Sequence, residues 1–246
     1  MAKREDLLSH LVNSKNLSQW DLSGLDLGQL DLSRCNLRGA DLTGTDLAGS
    51  VLVRTNLDNA NLCGAFLTFS NLLGANLRGA NLNQAVLNVA NLSLTKMDGA
   101  CLVGAQLIGS SLAGTTMTLA SLSNANASGA EISGANLKGT DFRQNCLVGA
   151  SLASSNLSDC DLRGADLRRT NLHEANLTKV ILQEADCRGA DMRKVDFSGA
   201  ELNQTDLRRA NLQDAKIKTD QLLNARLEGA IMPNGRSYEE WRQSLN

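Results

Sequence analysis

The amino-acid sequence predicts a single solenoid of five-residue repeats, and three observations predict it. Apolar residues recur at every fifth position from Leu17 to Met232, giving 44 such centres, of which 42 are Leu, Met, Phe or Ile. Small residues, mostly Ala, Ser or Thr, stand two positions before the centres, and 19 of the 21 glycines stand two positions after them. A period of five matches neither the 3.6-residue repeat of an α-helix nor the two-residue repeat of a β-strand. The chain therefore turns at regular intervals along one array.

The centres and the small residues before them form the predicted interior wall. Among the 88 residues at these two positions, only Lys15 and Asp220 are charged, and both lie near the ends of the array. Alternating large and small side chains fill a narrow tube at the density of protein interiors. Glycine after the centre permits a tight turn, and the Asp or Asn before it can hydrogen-bond neighbouring backbone. We therefore expect an apolar interior, a polar outer surface and a corner in each repeat.

The segments NLRGADLTGTDL, ANLRGANLNQAVL and CDLRGADLRRTNL resemble the A(D/N)LXX motif of the pentapeptide-repeat family, and this resemblance covers residues 15–232. It implies an all-β fold, a right-handed quadrilateral β-helix with four repeats to a coil and about eleven coils. The unbroken array and the tail GAIMPNG are also similar to cyanobacterial members of the family, some of which regulate cell differentiation through protein contacts.

Short helical caps are expected at both ends, because an open solenoid end exposes apolar interior and unpaired backbone. Residues 1–14 are predicted to form a capping helix, residues 15–232 the β-helix and residues 233–246 a C-terminal capping segment. Within residues 3–13, four apolar residues recur at helical spacing: Leu7, Leu8, Leu11 and Val12. Three residues are too large for ordinary small-residue positions, which indicates an atypical first coil: Trp20, Leu25 and Leu30. At the C-terminus, a lid over the last coil is favoured, carried by Tyr238, Trp241 and Leu245.

Catalysis and metal binding lack their usual residues. The two histidines, His10 and His173, have no second histidine or cysteine close in the pattern, and the six cysteines contain no CxxC pair. A filled tube offers no pocket, so we expect no enzyme activity, catalytic residue, metal or cofactor. The start of the chain lacks the apolar run of a signal peptide, and no stretch of 18 apolar residues occurs, so a cytoplasmic location away from membranes is expected.

Charge is distributed unevenly along the chain. Residues 48–137 contain six charged residues, whereas residues 138–246 contain sixteen of each sign. The net charge is only −2, so no global field attracts nucleic acid, and direct nucleic-acid binding is not expected. The rod is therefore predicted to have a neutral segment and a charged segment.

Apolar residues at outward positions of the neutral segment predict a partner-binding patch. With 20 residues to a coil, they gather on two neighbouring faces: Val51, Val53, Phe66, Phe69, Leu73, Val86, Val89, Leu94 and Ile108. A contiguous exposed apolar area marks an interface, whereas scattered apolar side chains are ordinary on any surface. The partner-docking interpretation is favoured over the ordinary one.

In the charged segment, the same face carries a ladder of alternating charges, namely Asp166, Arg168, Asp186, Arg188, Asp206 and Arg208. With Arg169 and Arg209 beside them, the arginines can grip phosphates or carboxylates. The interleaved aspartates cancel most of that field, so a solvated face with charge pairing across coils is favoured.

The sequence thus favours a rigid, non-enzymatic scaffold that binds a protein partner through an outer face. The alternative hypothesis comes from the family, because some members mimic duplex DNA and bind type II topoisomerases, protecting them from inhibitors. Those members are generally more acidic and often carry loops, whereas this chain has a net charge of −2 and a long neutral segment. Whether the chain is a monomer or a homodimer stays open.

Overall fold

The computed structural model describes residues 4–243, most of which form a stack of coils. Parallel bridges join residues that precede a centre to the residue 20 positions later, from the pair Asn16–Asn36 to the pair Asn211–Ile231. Four five-residue repeats therefore make one coil, as the family resemblance implies. Each bridge is a single residue long, and residues 4–243 contain no longer strand. The remaining elements are helix α1 (Arg4–Leu11), a 3-10 helix (Thr219–Leu222) and helix α2 (Tyr238–Gln243).

One repeat shows how the backbone is satisfied. The N–H groups of Asp41, Leu42 and Gly44 donate to carbonyls of adjacent coils at 2.9, 2.7 and 3.0 Å. The N–H of Thr45 donates to the carbonyl of Leu42 at 3.1 Å and closes the turn. The N–H of Thr43 donates to Oδ1 of Asp41 at 3.0 Å. All five N–H groups of this repeat thus have acceptors, and the Asp before its centre supplies the one that the main chain does not.

Centres that lie 20 residues apart stack into four faces. Face 1 carries Leu17 and every twentieth residue after it, face 2 begins at Leu22, face 3 at Leu27 and face 4 at Leu32. The centres, except the half-buried Ile217, and, beyond the first coil, most of the small residues before them are buried in one continuous apolar core. Because both residue classes point inward, two of every five residues are used by the core, and the other three are available to the surface.

The N-terminal end departs from the predicted helix. Helix α1 buries Leu7 completely, and Leu11 packs partly against the core. Leu8 and Val12 are 41% and 81% exposed, so their predicted place in the covering face is wrong. Helix α1 ends at Leu11, which leaves Val12 beyond the helix, and Leu8 lies on its solvent side. Residues 1–3 of the predicted capping helix lie outside the described residues.

The oversized residues of the first coil, Trp20, Leu25 and Leu30, are half-buried and pack against the core. The His10 ring lies 4.7 Å from the Trp20 ring, centroid to centroid, and its Nε2 is 2.9 Å from the carbonyl oxygen of Asn16. Helix α1 is therefore joined to the first coil by a polar contact and a ring contact as well as by Leu7.

Near the C-terminal end, the 3-10 helix Thr219–Leu222 interrupts the regular coil, although the sequence keeps its period of five there. The parallel bridge expected between Glu201 and Gln221 is replaced by two hydrogen bonds from Gln221 Nε2 to the carbonyls of Phe197 and Ala200, at 2.9 and 2.8 Å. The cause is Asp220, which occupies an inward position in the repeat. Burying an unpaired carboxylate costs several kcal/mol, and Asp220 is instead exposed.

After the array, Ser237 forms an antiparallel bridge with Ile231, and helix α2 follows. Tyr238 and Trp241 are half-buried and pack against the core, with their ring centroids 6.3 Å apart. The third predicted lid residue, Leu245, lies outside the described residues.

Three buried residues at small-residue positions have a side-chain polar atom without a hydrogen-bond partner among residues 4–243: Ser50, Thr115 and Asn145. Asn145 is buried at a small-residue position, where its Nδ2 donates to the carbonyl of Leu122 at 2.7 Å and its Oδ1 has no partner. Thr140, at the same position of the preceding repeat, makes the equivalent bond to Met117 through its hydroxyl at 2.6 Å. A threonine can therefore supply the donor without the extra buried oxygen.

We expect Asn145→Thr to raise the free energy of unfolding by about 1 kcal/mol, because it keeps the donor and removes an unsatisfied buried acceptor. Denaturant unfolding followed by circular dichroism measures the change. Asn145→Val is the matched control, since it has the shape of threonine without the hydroxyl. A threonine variant no more stable than the valine variant would contradict this account.

Candidate interaction faces

The predicted apolar patch lies on faces 3 and 4, mostly around the corner between them, with Leu94 at the opposite corner of face 4, next to face 1. Five of its side chains are exposed, with Phe69 and Leu94 the most open at 69% and 62%. The other three in this group are Phe66, Val89 and Ile108. Four more are half-buried: Val51, Val53, Leu73 and Val86. The nine residues occupy four successive coils, which at ~4.8 Å per coil extend about 14 Å along the rod. We call these nine residues the apolar patch.

Three residues of the apolar patch stand at corners where the backbone has positive φ. The φ values are 60° for Phe69, 58° for Val89 and 58° for Leu94. This left-handed region costs roughly 1–2 kcal/mol for a residue with a Cβ, and it is least favourable for β-branched residues. Val89 is therefore a costly choice at a position where glycine is common.

Three other residues of the patch replace the Asp or Asn that normally accepts a backbone N–H. Val51, Phe66 and Val86 have no acceptor atom in their side chains. The N–H groups two residues later, on Val53, Thr68 and Asn88, have no protein acceptor among residues 4–243. A lost hydrogen bond of this kind costs about 0.5–1.5 kcal/mol where water does not replace it. The patch is thus maintained against two local preferences of the repeat.

Leu119 is a further exposed apolar side chain, 77% open, which the sequence reasoning missed. It occupies the same corner position as Val89 and Leu94, with φ of 57°, but at the corner between faces 1 and 2. The same rule, a large apolar residue where glycine is usual, would have found it.

The charged ladder on face 3 makes the predicted ion pairs across coils, but its shortest pairs lie within single repeats. Arg168 donates from Nε to Asp166 Oδ1 at 2.8 Å and from Nη2 to Oδ2 at 2.6 Å, within one repeat. The contact from Arg168 to Asp186 of the next coil is longer, at 3.8 Å. Arg188 and Arg208 repeat the two-point pairing with Asp186 and Asp206. The distances within a repeat are shorter because the residues on either side of a centre point outward together.

The pairing also stabilises the charged form of the carboxylates. Hydrogen bonds from the Arg168 and Arg208 side chains lower the pKa of Asp166 and Asp206 below the ordinary value. These arginines are 40–45% exposed on the side chain, whereas the aspartates are 14–30% exposed. The guanidinium groups are therefore more exposed to solvent than the carboxylates with which they pair.

A shallow depression of about 720 Å³ lies along this ladder. It is bordered by the arginines of the ladder, by Arg169 and Arg209 at the corner, and by Gly189 between them. The depression is formed by long side chains that stand around a glycine, not by an opening into the core.

Other features that could carry chemistry are unremarkable in residues 4–243. No group of three or more His, Cys, Asp or Glu side chains there is placed to hold a metal ion. The six cysteines are free, and burial raises the pKa of the Cys160 thiol to about 12. Among the helices that the structure describes, none has the length and apolar character needed to cross a membrane.

Comparisons with solved structures return other pentapeptide-repeat proteins. HetL, a pentapeptide repeat protein involved in heterocyst differentiation regulation from the cyanobacterium Nostoc sp. strain PCC 7120, is 26% identical over 97% of this chain and 100% of its own, with a TM-score of 0.49. QnrB1, a plasmid-mediated fluoroquinolone resistance protein, is 18% identical over 90% of this chain and 93% of its own, with a TM-score of 0.56. Rfr23 from the cyanobacterium Cyanothece is 30% identical over 45% of this chain and 63% of its own, with a TM-score of 0.28. A comparison with curated protein sequences gives no significant match.

The family model for pentapeptide repeats matches most of the array. It matches in eight copies, which include residues 16–52, 31–68, 40–79, 70–112, 105–144, 146–183 and 185–218. Together with the five-residue period and the 20-residue pairing of coils, this match shows that the chain belongs to the pentapeptide-repeat family.

Proposed function

We propose that the protein is a non-enzymatic scaffold that binds a protein partner through the apolar patch. The observation that carries the proposal is that the patch replaces favoured residues of the repeat with costly ones. Val89 holds a positive φ of 58°, and Phe66 removes an acceptor for a backbone N–H. Neither choice improves the core, because both side chains point outward. Binding of these side chains to a partner protein would account for their presence at unfavourable positions.

The shape of the patch favours a protein over a small molecule. Small ligands bind in concave sites that enclose most of their surface, whereas this patch extends over the convex corner between faces 3 and 4 and across face 4. Its aromatic and aliphatic side chains, Phe66 and Phe69 above all, suit the apolar centre of a protein interface. The low charge of residues 48–137 removes the desolvation cost that charged groups would add.

The proposal assumes a stiff rod. We infer a right-handed quadrilateral β-helix of eleven coils, about 50 Å long, with α1 and α2 covering its ends. Such a rod presents the patch without rearrangement, so little conformational entropy is lost on binding. A cytoplasmic location is part of the same proposal.

The first test is Phe66→Asp. Aspartate occupies the same column of face 3 at Asp46 and Asp166, so the variant restores the usual residue and gives the N–H of Thr68 an acceptor. We expect unchanged or slightly higher stability and loss of the partner in pull-down experiments, because a charge would be buried in the interface. Light scattering of the wild type and the variant distinguishes a second copy of this chain from another protein.

Asn126→Asp is the matched control for that test. Asn126 lies in the same column but beyond the patch, and its Oδ1 accepts the N–H of Ser128 at 3.1 Å, a role that aspartate retains. We expect this variant to capture the partner normally. Equal capture by the wild type and Phe66→Asp, or equal loss with Asn126→Asp, would refute docking at the patch.

The second test is Val89→Gly, which removes strain and contact area together. We expect the free energy of unfolding to be maintained or to rise by about 1 kcal/mol, because glycine adopts positive φ without steric cost. We also expect weaker partner binding. Denaturant unfolding and a binding titration measure the two effects, and a less stable variant that binds normally would contradict the assignment.

The alternative function is binding to a type II topoisomerase by mimicry of duplex DNA. The fold likeness to QnrB1, a fluoroquinolone resistance protein, makes the test worthwhile but shows the fold alone. Mimicry needs a dense negative surface, whereas this chain has a net charge of −2 and the aspartates of the charged ladder are paired with arginines.

We therefore expect no effect of the protein, at micromolar concentration, on supercoiling by DNA gyrase with or without a quinolone. A gel-based supercoiling assay measures this, and a topoisomerase-protecting pentapeptide-repeat protein serves as the positive control. Protection by this chain would replace the scaffold proposal with mimicry.

A further inference from the structure

The depression on face 3 has two arginines that the ladder does not neutralise. Arg169 and Arg209 stand at corner positions two coils apart, about 10 Å, with Gly189 between them. Neither has a carboxylate within 4.0 Å among the residues that the structure describes. Both are exposed, so two unpaired guanidinium groups border one side of the depression.

The arginines of the ladder, on the other side of the depression, retain N–H groups that can donate hydrogen bonds. Arg168, Arg188 and Arg208 use Nε and Nη2 to bind their aspartates. Their Nη1 groups make no hydrogen bond to any of residues 4–243. Because each aspartate is already paired and less exposed than its arginine, an anion arriving from solvent meets free N–H donors before it meets a carboxylate.

Gly189 makes room for an anion at this place. Arg169 leans onto it, with Cγ 3.9 Å from the position that a Cβ on Gly189 would occupy. Apart from Arg169 Cγ and the chain neighbours of Gly189, no heavy atom that the structure describes lies within 4 Å of that position. The glycine at residue 189 therefore leaves open space at the corner between Arg169 and Arg209.

The basic surface is short, which limits the size of the ligand. Val148 borders the depression at one end and Glu228 at the other, so the arginines extend over only three coils. A long polyanion such as duplex DNA would continue past Glu228 on one side and over the neutral segment on the other, and would gain few further contacts. A compact anion with several charges fits the arrangement better.

We infer that this depression binds an oligophosphate, either free or as the phosphate chain of a nucleotide. Phosphate oxygens match the planar N–H pairs of guanidinium groups, and several negative charges are needed to compete with the aspartates already in place. Arg169 and Arg209 clamp the ligand from the corner, and the free Nη1 groups of the ladder contact it from face 3. This site is independent of the apolar patch.

The test uses isothermal titration calorimetry of the full chain at low salt with inorganic tripolyphosphate and, separately, ATP. We expect one site, and at least a tenfold loss of affinity in Arg169→Gln and in Arg209→Gln, because each removes charge-assisted hydrogen bonds. Glutamine occupies this corner position at Gln144 and Gln204 with φ of 55° and 59°, so folding is preserved. Equal affinities for the two probes assign binding to the phosphate chain, and tighter ATP binding adds a contact to the nucleoside.

Arg54→Gln is the matched control. Arg54 occupies the same corner position, with φ of 56° and its Cγ 3.6 Å from the Cβ position on Gly74, but it lies in the neutral segment. We expect Arg54→Gln and Phe66→Asp to bind tripolyphosphate like the wild type. No binding at millimolar tripolyphosphate, an equal loss in Arg54→Gln, or binding only to duplex DNA would overturn the inference.

Discussion

The parallel hydrogen bonds between successive coils are the constraint on which the rest of the molecule depends. They join residues 20 positions apart, so a side chain always lies beside the residue of its own repeat position in the next coil. Asn36 Nδ2 donates to Asn16 Oδ1 at 3.0 Å, and Asn76 Nδ2 donates to Asn56 Oδ1 at 3.0 Å, because the register places like beside like. Each column of the surface therefore consists of equivalent residues from successive coils, and its character depends on several repeats at once.

The same register separates structure from function within each repeat. The centre and the small residue before it fill the core, and the Asp or Asn beside the centre satisfies a backbone N–H, as Asp41 does for Thr43. A functional side chain must then occupy an outward position, and at two of those positions it displaces either an acceptor or a glycine. Phe66 illustrates the first cost and Val89 the second. A residue that departs from the repeat therefore indicates a function, because the lost acceptor or the lost glycine has a known energetic cost.

The period of five was sufficient to predict the interior, the corners and the family, because core packing repeats in every unit. The coil of 20 residues came from the family resemblance, since a period of five alone is compatible with other numbers of repeats per turn. The 3-10 helix at Thr219–Leu222 was not predicted, although Asp220 at an inward position signalled that the coil could not continue unchanged. The two-point pairing of Arg168 with Asp166 within one repeat was also missed, because it depends on the direction of the two side chains that flank a centre.

The two candidate sites lie at different levels along the stack of coils. The apolar patch ends at Ile108 and the depression begins at Val148, both on face 3, so two coil spacings of roughly 5 Å separate them. Each coil contacts only its neighbours, and stability in such arrays is a sum of local terms. A ligand at one site therefore has no rearranging element through which to alter the other, because coupling between sites requires a segment with two arrangements. Any influence of an anion on a docked protein would have to arise from direct contact between the two, and a partner that extends beyond the patch by two coils along face 3 would reach Val148.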